Sequence, residues 1–458
     1  MPSYSNDDNS AAQPGVFRKL FFQVDNSSLI LFRIIFGFLL FYQSISAIAK
    51  GVVYENFIQP PFTFTFIGFE FLQPLPGIGM YLYFGVLALL GLMIMAGAWY
   101  RFSIIAFTLL WLVIYLMQKS GYNNHYYLEL LLCCLMIFMP ANAGFSLDVK
   151  RKKVAEKYCC SQWIHWIFIA QVFIVYFFSA TSKLLAPDWF SGKFLTIQFS
   201  LLSKSRLLGF IYGNHWFTIM ISYGGFFFDL LIVPLLLWKK TRRYAFVLTC
   251  LFHLFNGFTF HIGVFPYLSI GLLIFFFEPE RIRHLFFKNK SPVVCGDNYS
   301  GKYGASQKIY TCCLLIYLFF QIALPLRSLF FPGNVFWTDE GYRMSWKMML
   351  RTKSGKIFFK VLDPVSGKVW NIDPSKKFTP SHVMVLSVSP DIIWQFAQRI
   401  KNEFATKGIR NVQVYAIDSV SLNRSVYQPL VNPGVDLAKV KWNSFRHSDW
   451  IMPFKEKP

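Results

Sequence analysis

Residues 163–189 read WIHWIFIAQVFIVYFFSATSKLLAPDW, an apolar stretch with a lysine near its end. The segment from Ile164 to Thr181 is long enough to cross a bilayer as a helix, which takes about 20 predominantly apolar residues. Lys183 therefore lies at the edge of a predicted membrane span, where a charged side chain is expensive and often functional. It is either an anchor whose ammonium reaches the lipid headgroups or a buried base whose pKa is lowered by desolvation.

The composition of the chain is that of an integral membrane protein. Hydrophobic residues make up 55% of it and charged residues only 15%, which is unusual for a soluble domain. We expect an all-α polytopic membrane bundle of about nine transmembrane helices with a C-terminal β-containing (α+β) domain outside the membrane. The predicted spans are 29–49, 79–98, 102–118, 126–140, 163–182, 216–238, 244–260, 263–277 and 308–330. The region around 258–277 is short enough to contain a re-entrant turn.

The net charge of +22 is concentrated in loops between the predicted spans. Basic clusters occur at 150–157, 239–243 and 281–290. This distribution follows the rule that cytoplasmic loops carry the excess of lysine and arginine, and it argues against a nucleic-acid partner. It predicts a multi-pass protein with a cytoplasmic N-terminus, and it places Lys183 and the C-terminal domain on the outer side.

Three regions are expected along the chain: a disordered cytoplasmic N-terminus at 1–28, a transmembrane bundle at 29–331 and an extracytoplasmic β-rich domain at 332–458. Within the last region the patterns predict strands at 356–362, 369–372 and 412–418 and an amphipathic helix at 392–404.

The eight cysteines fall mainly into adjacent pairs, and none lies after residue 332. None has the CxxC spacing of a metal site. The sequence therefore predicts neither a disulfide-stapled outer domain nor a zinc site.

His125 is a candidate catalytic residue at the outer start of the fourth predicted span. Glu129 follows one helical turn later, so that the two side chains share a face and could form a hydrogen bond. The alternative is an interfacial histidine beside a solvated glutamate. Asn124, in the same motif, is either part of the helix N-cap or a residue of the binding site.

His253 and Asn256 lie three residues apart in an apolar segment, on one face of a predicted helix. Polar side chains within a span tend to point into the bundle, so that the pair either lines a ligand site or forms interhelical hydrogen bonds. His261 is too far along the helix to complete a metal triad with them, and we expect no metal.

Asp229 is an isolated carboxylate in the sixth predicted span, after Gly224 and Gly225, which allow close approach of a helix or a ligand. Arg33 is similarly isolated in the first span and could pair with Asp229. The chain has no GxxxxGK[ST], GxGxxG, HExxH or GxSxG motif, so nucleotide-driven and zinc-hydrolytic mechanisms have no support.

Taken together, the ordered motifs resemble those of the vitamin K-dependent gamma-glutamyl carboxylase family, whose membrane part is also known as the HTTM domain. The resemblance extends from about Leu31 to Pro453. It rests on LFRIIFGFLLF, YNNHYYL, AQVFIVYF with SKLLAPDW, GGFFFDL, FHLFNGFTFHIGVFPY, YRMSWKMM and WNSFRHSDWIMP.

The resemblance implies an enzyme that oxidises reduced vitamin K, a menaquinol- or phylloquinol-type hydroquinone, to its epoxide. A base deprotonates the hydroquinone, O2 adds, and the resulting alkoxide removes a γ proton from a peptide glutamate, to which CO2 then adds. Lys183 matches the family's lysine base, and His125 matches a histidine of the carboxylation half-reaction. His253 and Asn256 match a segment that lines the quinone pocket, where Asn124 and Asp229 are further candidates. A lysine base requires a depressed pKa, which the apolar flank of Lys183 favours.

The implied partners are the lipid bilayer, a lipophilic quinone and a glutamate-containing peptide or secreted protein, and the implied setting is a bacterial inner membrane. Arg351 stands where a histidine is expected in animal members, a departure that concerns the carboxylation half-reaction rather than quinone binding. Two other functions stay open: a hydroquinone epoxidase without carboxylation, and a non-catalytic membrane module that binds quinone or peptide. A transporter is less well supported.

Overall fold

The computed structural model describes residues 16–202, 209–292, 295 and 304–455. The helices up to residue 330 are, in chain order, α1 (Val16–Lys19), α2 (Ser27–Ala49), α3 (Gly79–Ala96), α4 (Tyr100–Met117), α5 (Asn124–Ile137), α6 (Leu147–Lys150), α7 (Trp163–Leu184), α8 (Pro187–Phe190), α9 (Lys193–Leu202), α10 (Gly209–Tyr212), α11 (His215–Leu237), α12 (Arg242–Phe260), α13 (Phe265–Leu272), α14 (Pro279–Phe286) and α15 (Ala305–Leu326). Short 3-10 turns follow α4, α13 and α15, at Lys119–Gly121, Leu273–Phe276 and Arg327–Phe330.

Six helices in the described ranges are long and apolar enough to cross a membrane. They are α2, α3, α4, α7, α11 and α15, the last together with its 3-10 turn. Two shorter apolar helices, Asn124–Ile137 and Phe265–Phe276, and the helix Arg242–Phe260 occupy the other three predicted segments. The prediction of a mostly helical membrane bundle is confirmed, whereas the number of nine crossings is not.

Helices α2 and α3 pack closely against each other, and glycines make that approach possible. A Cβ added to Gly91 would lie 2.6 Å from the backbone nitrogen of Phe41, and one added to Gly37 would lie 2.3 Å from that of Met95. Interfaces between membrane helices use small residues in this way, because packing has to replace the missing hydrophobic driving force.

One end of the bundle, which we name the distal face, is built from the strands β1 (Gln23–Asp25) and β2 (Cys159–Ser161) together with α14. The two strands pair antiparallel. Asp25 is buried there and forms ion pairs with Lys290, at 2.6 Å, and with Arg283, at 3.1 Å. A disulfide joins Cys159 to Cys295 at the same end.

The N-terminal segment differs in part from the expected disorder. Residues 16–28 contain α1, β1 and the start of α2, so that regular structure begins well before residue 29. Residues 1–15 lie outside the described part of the chain.

The C-terminal region forms a three-stranded antiparallel sheet in the order β4-β3-β5. Its strands are β3 (Lys353–Leu362), β4 (Val369–Ile372) and β5 (Gln413–Leu422), and its helices are α16 (Val335–Thr338), α17 (Pro380–Val388) and α18 (Pro390–Thr406). The three predicted strands and the amphipathic helix are present. Because two helices of nine and seventeen residues cover the sheet, the region is α+β rather than rich in β-structure.

A buried ion pair joins this region to the membrane bundle. Asp391, at the start of α18, pairs with Lys119 of the bundle at 2.7 Å and with Arg343 of its own region at 2.8 Å. Although burial opposes it, the charges of Arg343 and Lys119 hold the pKa of Asp391 well below its ordinary value,. The contact fixes the C-terminal region over the ends of α4 and α5.

Candidate functional site

Lys183 lies in the last turn of α7, with its side chain inside the protein. The helix ends where Pro187 begins α8, since a proline disfavours helical geometry at the residue before it. Lys183 is 6% exposed, and its ammonium donates to Ser179 Oγ at 2.9 Å, one turn earlier on the same helix. The Trp189 ring covers the ammonium at 5.0 Å. This burial does not fit a headgroup anchor.

Asp229 of α11 is the ionic partner of Lys183. The two side chains form a short hydrogen-bonded ion pair, and Asp229 is 5% exposed. The apolar flank seen in the sequence is therefore only part of the environment of Lys183, which also includes a carboxylate.

The proposed pairing of Asp229 with Arg33 is wrong. Arg33 instead donates to the backbone oxygens of Ala141, Gly144 and Phe145, at 3.0, 3.3 and 2.6 Å. Backbone carbonyls are therefore the hydrogen-bond partners of Arg33, in place of the Asp229 carboxylate suggested by the sequence.

His253 and Asn256 come from α12 and face the same space as Lys183. His253 Nε2 is hydrogen-bonded to the Tyr176 hydroxyl at 2.6 Å. Its Nδ1 is buried and has no hydrogen-bond partner within the described ranges. The rings of Phe252 and Phe265 lie against the imidazole at centroid distances of 5.4 and 5.9 Å. A buried ring nitrogen without a partner is available to a ligand.

These residues line a single cavity of about 250 Å³, which we name the lysine cavity. Five of the six predicted site residues meet there: Lys183, Asp229, His253, Asn256 and Asn124. The wall is otherwise mainly apolar and aromatic, and it is closed on one side by residues of the C-terminal region: Tyr342, Lys347, Met348 and Met349. A flat apolar head group with one or two polar oxygens suits such a lining.

Asn124 links the bundle to residues 342–349, which close this side of the lysine cavity and which we name the covering segment. Its Oδ1 accepts from the Tyr122 hydroxyl at 2.8 Å, and its Nδ2 donates to the Lys347 carbonyl at 3.4 Å. The preceding residue, Asn123, occupies the N-cap position of α5 but makes no side-chain cap hydrogen bond.

His125 faces a second cavity of about 380 Å³, which we name the histidine cavity. Phe265 lies between the two cavities: its ring centroid is 5.8 Å from that of His125 and 5.9 Å from that of His253. The possible hydrogen bond from His125 to Glu129 is not formed. Glu129 Oε2 accepts from Gln43 at 2.7 Å, and Oε1 has no hydrogen-bond partner within the described ranges.

Tyr176, Ser179 and Lys347 are among the residues of the lysine cavity that the sequence reasoning did not single out. Ser179 is four residues before Lys183, a spacing that places both on one helix face. Tyr176 lies within the quoted AQVFIVYF segment. The position of Lys347 depends on how a distant segment docks, which no local pattern reports.

Two further predicted residues lie outside the lysine cavity. His261 lines the histidine cavity, and in the described residues no group of three or more His, Cys, Asp or Glu side chains could hold a metal ion. Arg351 forms an ion pair with Asp339 and stacks 3.8 Å above the Tyr342 ring, so that its role in this structure is to hold the covering segment.

Comparison with known families covers nearly all of this architecture. Residues 21–280 match the HTTM domain, and residues 306–457 match the vitamin K-dependent gamma-carboxylase lumenal domain. The chain belongs to the vitamin K-dependent gamma-carboxylase family. The lumenal-domain match begins within α15, before the domain boundary expected at residue 332. No solved structure matches the chain.

Membership of the family points to a carboxylase-type enzyme, and it implies reduced vitamin K, O2 and CO2 as reactants. Together with the six apolar helices, it makes the chain a multi-pass membrane protein of this carboxylase family.

Proposed function

We propose that this protein couples oxidation of reduced vitamin K to its epoxide, by O2, to the addition of CO2 at the γ carbon of peptide glutamate. The observation that carries the proposal is the buried Lys183–Asp229 pair, which shares one cavity with His253 and Asn256. This cavity lies between the membrane bundle and the region that matches the lumenal domain. A lipophilic reductant could enter it from the bilayer and a peptide from the outer side.

Lys183 would act as the base toward a hydroquinone hydroxyl. As its amine accepts the proton it becomes an ammonium, and the Asp229 carboxylate stabilises the positive charge that forms. An acidic residue plays the same part toward a catalytic histidine in hydrolase triads. Ser179 and the Trp189 ring fix the position of the side chain, so that little reorganisation accompanies the transfer.

His253 and Asn256 would orient the ring oxygens. The Tyr176 hydroxyl holds one imidazole nitrogen and leaves Nδ1 free for the ligand. When bound, the hydroquinone and oxygen supply the strong base that removes the γ proton. The aromatic wall would keep bulk water, which would quench such a base, away from it.

His125 would serve the carboxylation half-reaction from the histidine cavity. The Phe265 ring is in contact with both His125 and His253. A group in this position can act on the glutamyl carbon or on CO2 without displacing the quinone. The proposed setting is a bacterial inner membrane with the C-terminal domain on the extracytoplasmic side.

The test uses the purified full chain with reduced vitamin K, O2, bicarbonate and a glutamate-rich peptide. Epoxide together with carboxylated peptide supports the proposal, epoxide alone indicates a hydroquinone epoxidase, and neither product indicates a non-catalytic binding module. Lys183→Ala should abolish epoxide formation. Lys193→Ala, which removes an exposed lysine ten residues further on, should leave it at the wild-type level. Normal turnover by Lys183→Ala would show that the base is misassigned.

A further inference from the structure

Two neighbouring cations, Lys347 and Arg327, lack a carboxylate partner within the described part of the chain. Lys347 lines the lysine cavity, whereas Arg327 lines an adjacent cavity together with Arg343 and Asp391. Neighbouring charges are paired: Lys119 and Arg343 with Asp391, and Arg351 and Lys353 with Asp339. By contrast, Lys347 is 5% exposed, and among the described residues its ammonium donates only to Ser328 Oγ, at 2.9 Å. Arg327 donates to the Arg343 carbonyl at 2.7 Å, and its buried Nε has no hydrogen-bond partner within the described ranges.

An ammonium buried without a counter-ion is unfavourable, because nothing replaces its hydration. Here burial and the positive charge of Arg327 lower the pKa of Lys347 to about 8. The ammonium also has two N–H donors left after its bond to Ser328. An anion placed against Lys347 would satisfy these donors and relieve the repulsion between the two cations.

The Lys347 segment is held in place by both parts of the molecule. The backbone carbonyl of Lys347 accepts hydrogen bonds from the Tyr342 hydroxyl at 3.0 Å and from Asn124 Nδ2 at 3.4 Å. Trp346 and Met349, on either side, have positive φ angles of 57° and 56°. Non-glycine residues adopt this conformation at a cost, and it persists where the surroundings impose it. Lys347 thus borders the cavity in a fixed position rather than on a flexible loop.

Resting on the proposed function, we propose that Lys347, assisted by Arg327, binds the side-chain carboxylate of the substrate glutamate. When the γ C–H bond breaks, the proton goes to the base generated from hydroquinone and O2. The electron pair left on the γ carbon is delocalised onto the carboxylate, and a new bond then forms from that carbon to CO2. A cation at the carboxylate stabilises this additional negative charge, so that Lys347 contributes more in the transition state than in substrate binding.

The test compares Lys347→Met, which keeps the length of the chain and removes the charge, with Lys347→Arg. We expect Lys347→Met to raise the peptide KM or lower the carboxylation kcat by at least about 10-fold more than it changes the KM of hydroquinone or of bicarbonate. Lys347→Arg should recover part of the loss. Lys356→Met, which removes an exposed lysine of β3, is the matched control. An unchanged kcat together with equal changes, or none, in the three KM values would overturn the assignment; a change confined to bicarbonate would mean that the cations bind that anion instead.

A binding measurement separates this proposal from the proposed function itself. Wild-type protein should bind a glutamate peptide at least about 10-fold more tightly than the same peptide with glutamine, because only the first pairs with the ammonium. Lys347→Met should bind the two about equally, and its melting temperature should not fall, since the variant removes an unpaired buried charge. This comparison needs no turnover, so it stays decisive even if the wild type forms no carboxylated product. Equal binding of the two peptides by the wild type would refute the carboxylate site.

Discussion

At the scale of single residues, the pairing of Lys183 with Asp229 determines how the base would work. A lone buried lysine would rely on desolvation to be neutral. A lysine beside a carboxylate has a group that stabilises its protonated form, which favours proton acceptance by the amine and opposes release of that proton. In the proposed cycle, Lys183 must therefore hand on the accepted proton before it can act as a base again.

Asp229→Asn tests this role directly. The amide keeps the shape of the side chain and a hydrogen bond to Lys183 but loses the charge, so epoxide formation should fall by roughly 10²-fold or more, the usual effect of removing a preorganised electrostatic group. The measurement is the rate of epoxide formation at saturating hydroquinone. Leu231→Ala, at an exposed position of the same helix, is the control and should retain activity. More than half of the wild-type rate in Asp229→Asn would contradict the role.

At the scale of helices and strands, sequence patterns predicted those elements whose ends are determined by nearby residues. The strand at 369–372 was predicted at its observed bounds, because the turn at Pro364 and Gly367 delimits it. Helix α17 was not predicted, although Thr379 and Pro380 form an N-cap and first-turn signal,. Its mixed surface lacks the apolar periodicity that identifies a helix.

Contacts between elements were harder to predict than the elements themselves. His253 and Asn256 share a helix face, so their proximity follows from spacing alone. The partner of Asp229 depends on how separate helices pack against one another, and the sequence reasoning offered Arg33 rather than Lys183, which is the partner in the structure. Arg33 was excluded by backbone carbonyls, which a sequence does not display as acceptors.

The α2–α3 contact provides a stability prediction. Gly91→Ala would place a Cβ 2.6 Å from the Phe41 backbone nitrogen, so the helices must separate, and we expect about 1–3 kcal/mol of destabilisation. Thermal unfolding in detergent should show a lower melting temperature. Gly85→Ala on the same helix meets nothing within 4 Å and should leave the melting temperature unchanged or slightly higher. Equal melting temperatures for the two variants would refute the tight contact.

At the scale of the whole molecule, the two ends of the bundle differ in chemistry. The distal face carries the basic clusters that predict a cytoplasmic location, and it also carries the Cys159–Cys295 disulfide. Disulfides are uncommon in reducing compartments, so that charge and cysteine chemistry favour opposite sides at this face. The charge pattern involves several loops, whereas the disulfide is a single bond. We therefore keep the prediction from charge that the distal face is cytoplasmic.

The opposite end depends on Asp391, which holds the C-terminal region on the bundle. Asp391→Asn would leave Lys119 and Arg343 buried without their carboxylate, and removal of one partner from a buried pair destabilises by about 3–5 kcal/mol. Glu403→Gln is the matched control on the same helix. It breaks an exposed pair with Lys377 and should cost about 1 kcal/mol or less.

The pH dependence of unfolding supplies an independent measurement on the same residue. Because the folded-state pKa of Asp391 lies well below that of an unfolded aspartate, about 3.9,, its ion pairs contribute fully above roughly pH 5 and are lost as the pH falls through the folded pKa. Wild-type protein should therefore lose stability below that pH in circular dichroism melts, and Asp391→Asn should lose less over the same interval. Parallel curves for the two proteins would mean that docking does not depend on this carboxylate. A smaller acid response in the variant would identify Asp391 as the group that couples the covering segment, and with it Lys347, to the membrane bundle.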